Sequence, residues 1–173
     1  MAIKPLAIAA CTLTNALGRG LAASLRALRE GESGLRSCDF EDAALDTWIG
    51  RVAGLEEEPL RGELAPFDCR NNRLARLGLE QDGFGAAVRV ARDRYGPDRI
   101  GVFVGTSTSG IGATEHAYHQ RDPITGSLPA TFDYQHTHNV FSVADFTRRW
   151  LDLTGVAFAI STACSSSAKA FAT

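Results

Sequence analysis

Val156-Ala157-Phe158-Ala159-Ile160-Ser161-Thr162-Ala163-Cys164-Ser165-Ser166-Ser167-Ala168-Lys169-Ala170 is the stretch that decides the fold. Val156 to Ile160 is a short apolar run with apolar residues on both alternating faces, the pattern of a strand buried on both sides. It passes through small residues to a cysteine and continues into small, helix-compatible residues. This is a strand-to-helix elbow, similar in logic to a hydrolase nucleophile turn although G-x-S-x-G is absent. Small neighbours such as Ala163 let a substrate carbonyl approach the Cys164 thiol. A helix start would also offer unpaired N–H groups and a positive partial charge, which favour a thiolate and an oxyanion. The bland alternative is a buried structural cysteine, common for this residue type. Strand context alone leaves the two open.

Working outward, Ile100 to Val104 is a second apolar run, opening into Gly105-Thr106-Ser107-Thr108-Ser109-Gly110. Leu6 to Leu13, bounded by Pro5 and Asn15, predicts a first buried strand. Leu21, Leu25 and Leu28 then recur at helical spacing, with Gly31 and Gly34 closing that helix. Ser37 to Pro66 is acidic and irregular, with a short strand over Trp48 to Val52 and Glu56-Glu57-Glu58-Pro59 as a solvated loop. Asp68 is placed to cap a long helix reaching about Tyr95. Gly78, Gly83 and Gly85 weaken it by roughly 1 kcal/mol each relative to Ala. Phe141 to Leu151 predicts a helix, and Ser165 to Thr173 the start of another. Strands alternating with helices predict an α/β fold with a mostly parallel buried sheet flanked by helices. The pattern stops in mid-element, so residues 1–173 are expected to be an incomplete domain.

Composition bounds the rest. The 173 residues are 45% hydrophobic and 22% charged, which is globular, and a net charge of −2 gives no broad footprint for nucleic acid. No apolar stretch reaches the roughly 18 residues that span a bilayer, and no signal peptide is read at the N-terminus, so the expected location is cytoplasmic. Cys11, Cys38, Cys69 and Cys164 contain no C-x-x-C pair and read as free thiols. His116 and His119 share a helical face, and His136-Thr137-His138 is a close pair. No carboxylate or thiol completes a ligand set, so no metal is expected and the four histidines read as a polar surface or interface loop. A Cys-His hydrolase built on Cys164 is a remote further reading.

Ser161-Thr162-Ala163-Cys164-Ser165-Ser166 resembles the active-site elbow of the β-ketoacyl-acyl-carrier-protein synthases, condensing enzymes of the thiolase fold. Leu153-Thr154-Gly155 is similar to the segment preceding that elbow, and Gly101 to Gly110 to the family's strand and Gly/Ser-rich turn. Thr12-Leu13-Thr14-Asn15-Ala16-Leu17-Gly18 and Leu28-Arg29-Glu30-Gly31-Glu32-Ser33-Gly34 resemble its first strand-helix unit, so the resemblance runs the length of the chain in order. It implies the N-terminal part of a thiolase-like ketosynthase, with Cys164 accepting an acyl chain from acyl carrier protein. Malonyl-carrier protein is then decarboxylated and condensed with it, and no cofactor is needed. The family's catalytic histidines and lysine belong to motifs absent from these residues.

The resemblance also puts Thr108 at a position that helps set acyl-chain length, with Ala163 a further neighbour of the acyl pocket. The segment before the 141–151 helix lines the partner's pocket in that family and is there apolar with a proline. Here it is Asp133-Tyr134-Gln135-His136-Thr137-His138, which permits an acyl group other than a simple saturated chain. An ordinary polar loop is the alternative for both segments. The expected assembly is a homodimer or a heterodimer with a synthase-like subunit. Rival functions are a non-catalytic chain-length or pairing subunit, which would lose the nucleophile, and a thiolase-type acyltransferase.

Overall fold

The computed structural model describes residues 5–40 and 43–172. Residues 1–4, 41–42 and 173, which include the start of the N-terminal reading and the last residue of the final expected helix, lie outside them. The chain divides into two compact units, 1–53 with 77–88 and 54–76 with 89–173.

In the first unit, β1 (Thr14–Asn15) and β2 (Gly18–Arg19) form an antiparallel hairpin. Asn15 accepts the Leu17 N–H inside its turn. Helix α1 (Leu21–Glu30) ends where Gly31 turns left-handed at φ 68°. The Glu32 N–H then reaches Ala27 O, so Gly31 closes the helix as its position predicts. Strands β3 (Leu35–Ser37) and β4 (Trp48–Gly50) pair antiparallel, Leu35 opposite Gly50 and Ser37 opposite Trp48.

The strand predicted over Leu6 to Leu13 does not form, and Leu6 and Ile8 stand exposed. An apolar run becomes a strand only when a neighbour takes its backbone hydrogen bonds. No strand pairs with it among the described residues.

The long helix predicted to Tyr95 is instead two, α2 (Arg70–Leu79) and α3 (Phe84–Tyr95). Between them Asp82 and Gly83 both take positive φ, 55° and 71°. The Asp82 carboxylate accepts from the Leu21 N–H, the Thr12 hydroxyl and the Leu13 N–H. Desolvation opposes its charge, yet these donors hold its pKa below the ordinary value. A side chain recruited to the start of α1 breaks the helix its own segment would have continued. Asp68 does not cap α2: its carboxylate takes the Leu60 N–H and both forks of Arg73 at 2.6 Å. The glutamate run is exposed turn, as its composition predicts, with Glu56 pairing with Arg70 and Glu58 with Arg76 at the surface.

In the second unit, β5 (Val102–Gly105) leads through the Ser-rich turn into α4 (Ile111–His119). A π-helical turn at Tyr134–His138 precedes α5 (Ser142–Trp150), so the four histidines lie in two helical segments, His116 and His119 on α4 and His136 and His138 in the turn. Val143, Ala144, Phe146 and Thr147 bury one face of α5, the spacing of an amphipathic helix. Fully buried Phe146 packs with Leu60 and Phe67 in a core flanked by Leu64, Ala75 and Trp150. Asn72, also fully buried, donates from Nδ2 to Phe67 O at 2.9 Å and to Ser142 Oγ at 3.1 Å.

Strand β6 (Ala157–Ile160) pairs parallel with β5, Val102 beside Ala157 and Gly105 beside Ile160. The chain then enters α6 (Ser166–Ala170). The predicted parallel core is therefore present as one strand pair, but its burial is one-sided. Val102 and Ala159 are buried, whereas Phe103 and Phe158 are 40% and 51% exposed, their ring centroids 6.0 Å apart. Val156, just before β6, is exposed as well. The expectation of a strand buried on both faces is overturned for this chain because Phe103 and Phe158 stay partly exposed, although α6 packs on the Gly105 end of the same face.

Candidate active site

The elbow is built by short-range hydrogen bonds that only small and hydroxylated residues supply. At the end of β6, Ser161 Oγ donates to Ser107 O at 3.0 Å, and the Thr106 N–H donates to Ile160 O. The two strand ends therefore leave the sheet together. Ser166 Oγ accepts the Thr162 N–H at 2.9 Å and donates to Ala163 O at 2.7 Å. Ser165 Oγ donates to Thr162 O. Within this brace Ala163 is held left-handed at φ 52°, a region costing a residue with a Cβ about 1–2 kcal/mol. Cys164 follows in a 3-10 turn, Ala163–Ser165, with its side chain exposed. Strain at an exposed potential nucleophile is where such strain is commonly found.

Gly105 fixes the approach of β5 to α6. A Cβ there would lie 2.5 Å from Ser167 Cα and 2.6 Å from Ser166 O, both backbone atoms. Only glycine lets the strand end and the helix after Cys164 come this close.

A cleft of about 400 Å³ opens beside the Ser-rich turn, lined among others by Thr108, Ser109, Ile111, Thr114, His138 and Ser161. Thr108 is thus in the lining. Ala163 and Cys164 are not, so the structure does not bring all three predicted site residues into one cavity. Ser161 is the elbow residue that reaches it. Ser109 Oγ accepts from Asn71 Nδ2 at 2.8 Å.

The histidines part company. His136 Nδ1 meets Asp133 at 2.7 Å, and its ring packs edge-on against Phe67. His138 stacks on Phe132 and faces Thr114, and burial lowers its pKa despite the attraction of Asp133. His116 contacts Gln120. Among the described residues no three His, Cys, Asp or Glu side chains group as metal ligands.

The remaining thiols differ in access. Cys69 is buried, and burial pushes its pKa up. Cys11 is exposed like Cys164, so exposure alone does not single out Cys164.

The family model described as Beta-ketoacyl synthase, N-terminal domain, matches residues 4–173. The chain belongs to the β-ketoacyl synthase family. It is also similar in structure to a chain of the ketosynthase (ApeO) in complex with its chain length factor (ApeC) from Xenorhabdus doucetiae. The TM-score is 0.69 and the identity 28%, over 95% of this chain and 41% of that one. The chain therefore spans less than half the length of that relative. Curated protein sequences give no match. The fold of this synthase-family chain is the thiolase-like α/β fold that the elbow resembles.

Sequence reasoning missed Ser161 and His138 as neighbours of Thr108 in this synthase-family cleft. Ser161 was legible as the last residue before the elbow. His138 was not, because its place depends on the π-helical turn and on a contact with Thr114, 24 residues away. Among the described residues no helix is long and apolar enough to cross a membrane.

Proposed function

We propose that the protein is a β-ketoacyl synthase in which Cys164 is the acyl-accepting nucleophile. The observation that carries this reading is the strained, hydroxyl-braced elbow presenting an exposed Cys164 between a parallel strand and a helix. The thiolate attacks the carbonyl of an acyl thioester, the carbon–sulfur bond to acyl carrier protein breaks, and the carrier leaves as its thiolate, which takes up the proton that the Cys164 thiol gave up. Malonyl-carrier protein then loses carbon dioxide, and the resulting enolate carbon attacks the acyl-enzyme. A 3-ketoacyl-carrier forms and the Cys164 thiolate is released. Covalent catalysis divides one difficult condensation into two easier steps. Thr108 bounds the acyl chain in the cleft, and Ala163 keeps the approach to the thiol open.

The partner is a second synthase-type subunit, identical or of the chain-length type. The similar solved structure, described as a ketosynthase with its chain length factor, favours the heterodimer. The cysteine favours the catalytic member of such a pair.

The test is acylation of the full-length protein by acyl-carrier protein, read by intact mass and peptide mapping. A single acyl group should appear on Cys164, disappear in Cys164→Ala, and be nearly absent in Cys164→Ser, because an alcohol without a strong base beside it is a poor nucleophile at neutral pH. Acyl substrate should protect Cys164, but not exposed Cys11, from iodoacetamide. Carbon dioxide release from malonyl-carrier protein separates condensation from thiolase-type transfer. Acylation unchanged in Cys164→Ala would overturn the assignment.

A further inference from the structure

The polarity of the cleft follows from the position of one proton. Thr114 Oγ1 lies 2.8 Å from Gly110 O and 3.0 Å from His138 Nδ1. A carbonyl oxygen only accepts, so the single hydroxyl proton is directed to Gly110. Thr114 Oγ1 then accepts from the ring, and Nδ1 carries the imidazole proton. In the neutral ring the other nitrogen, Nε2, is an acceptor. Burial supports the neutral form. Phe132 stacks on the ring with centroids 4.2 Å apart, which holds its plane.

His138 lines the same cleft as Thr108, Ile111 and Ser109. The Ser109 hydroxyl already accepts from Asn71, so its own proton remains to be donated. An acceptor and a donor therefore border a cavity whose lining also mixes the apolar Ile111 and Val140 with Ser107, Thr108, Glu115 and Ser161. A hydroxyl is the small group that donates to one and accepts from the other. A plain hydrocarbon end would leave the ring nitrogen desolvated without a partner.

We infer that His138 makes this cleft selective for an acyl group carrying a hydroxyl, with Nε2 accepting its proton. This rests on the proposal that Cys164 carries the acyl chain.

The experiment compares acylation rates of Cys164 in the full-length protein, using N-acetylcysteamine thioesters that differ only in a hydroxyl or a methyl group at the chain end, over a series of chain lengths. At the best length the hydroxylated chain should load about tenfold faster, a ratio that a site built to hydrogen-bond a hydroxyl readily exceeds. His138→Phe should erase the preference, bringing the ratio of hydroxylated to methyl-ended loading to about one, and His138→Gln, which keeps an acceptor, should restore part of it. Equal loading of both chains at every length in the unmodified protein overturns the inference and leaves the acyl-Cys164 reading standing. A preference that persists in His138→Phe removes His138 from the role. No acylation by either series takes down the acyl-Cys164 reading and this inference with it. The unmodified protein decides the matter even where a variant fails to fold.

Discussion

Asp68 holds its charge between the Leu60 N–H and the Arg73 guanidinium. Burial opposes ionisation, but the Arg73 pair and the Leu60 N–H outweigh it, and the folded pKa lies below the ordinary value of 3.8. A carboxylate depressed in the folded state stabilises it fully above its unfolded pKa. That contribution is lost as pH falls from about 3.8 through the lower folded value. Asp145, opposed by burial but held down by Arg148 and Arg149, adds in the same direction. Asp68→Asn should therefore lower stability at neutral pH and flatten the acid limb of the stability curve. Urea midpoints of the full-length protein and the variant from pH 6 down to pH 3 check this: the two curves should converge at the acid end. Parallel curves would show that the pair contributes no pH-dependent stability. Nothing in the local pattern revealed this role, because an aspartate before a helix reads as a cap until the arginine one turn later takes both its oxygens.

At the scale of elements, the elbow depends on a glycine far from it in sequence. Gly105→Ala would place a methyl group against the backbone of Ser166 and Ser167, and backbone does not yield as a flexible side chain does. The strand end or α6 must move, and with it the brace around Ala163. Misplacement of about 1 Å at a reacting centre can cost on the order of 10² in rate. Cys164 acylation should fall by about that factor in Gly105→Ala, while circular dichroism shows the helices retained. An unchanged rate would mean that the approach of β5 to α6 is not what positions the thiol.

This coupling also marks what the sequence could tell. The parallel strands, the end of α1 at Gly31 and the elbow were legible because each is written in a local run: apolar residues, a left-handed stop, small residues around a cysteine. The break between α2 and α3 was not, because it answers to donors on Thr12, Leu13 and Leu21. Leu6 to Leu13 has the composition of a strand, but pairing is decided by a neighbour that composition does not name. His138 lies at the same limit, its meaning set by Thr114 and Phe132 together.

At the scale of the whole molecule, the second unit is built on a two-stranded parallel sheet. Parallel strands are found almost always with both faces covered, and a two-stranded sheet is too small to be stable alone. Here α5 and α6 both pack against the two strands, yet Phe103 and Phe158, on the face whose Gly105 end α6 covers, remain 40% and 51% exposed. The second unit thus leaves an apolar face only partly covered among the described residues. Such faces drive association. We predict that a polypeptide limited to residues 1–173 binds a hydrophobic dye strongly, sediments as heterogeneous oligomers at micromolar concentration, and yields no 3-ketoacyl product from acyl- and malonyl-carrier protein. The full-length protein should bind little dye and sediment as a dimer, either of itself or with a synthase-like subunit produced alongside it. Replacing both Phe103 and Phe158 with serine should reduce dye binding by the short polypeptide, because those rings form the open face. A short polypeptide that is monomeric and dye-silent would mean that the phenylalanine face is covered by its own chain. Product formed by the short polypeptide and lost in Cys164→Ala would place the decarboxylating groups within these residues, and His138 would be the first to test.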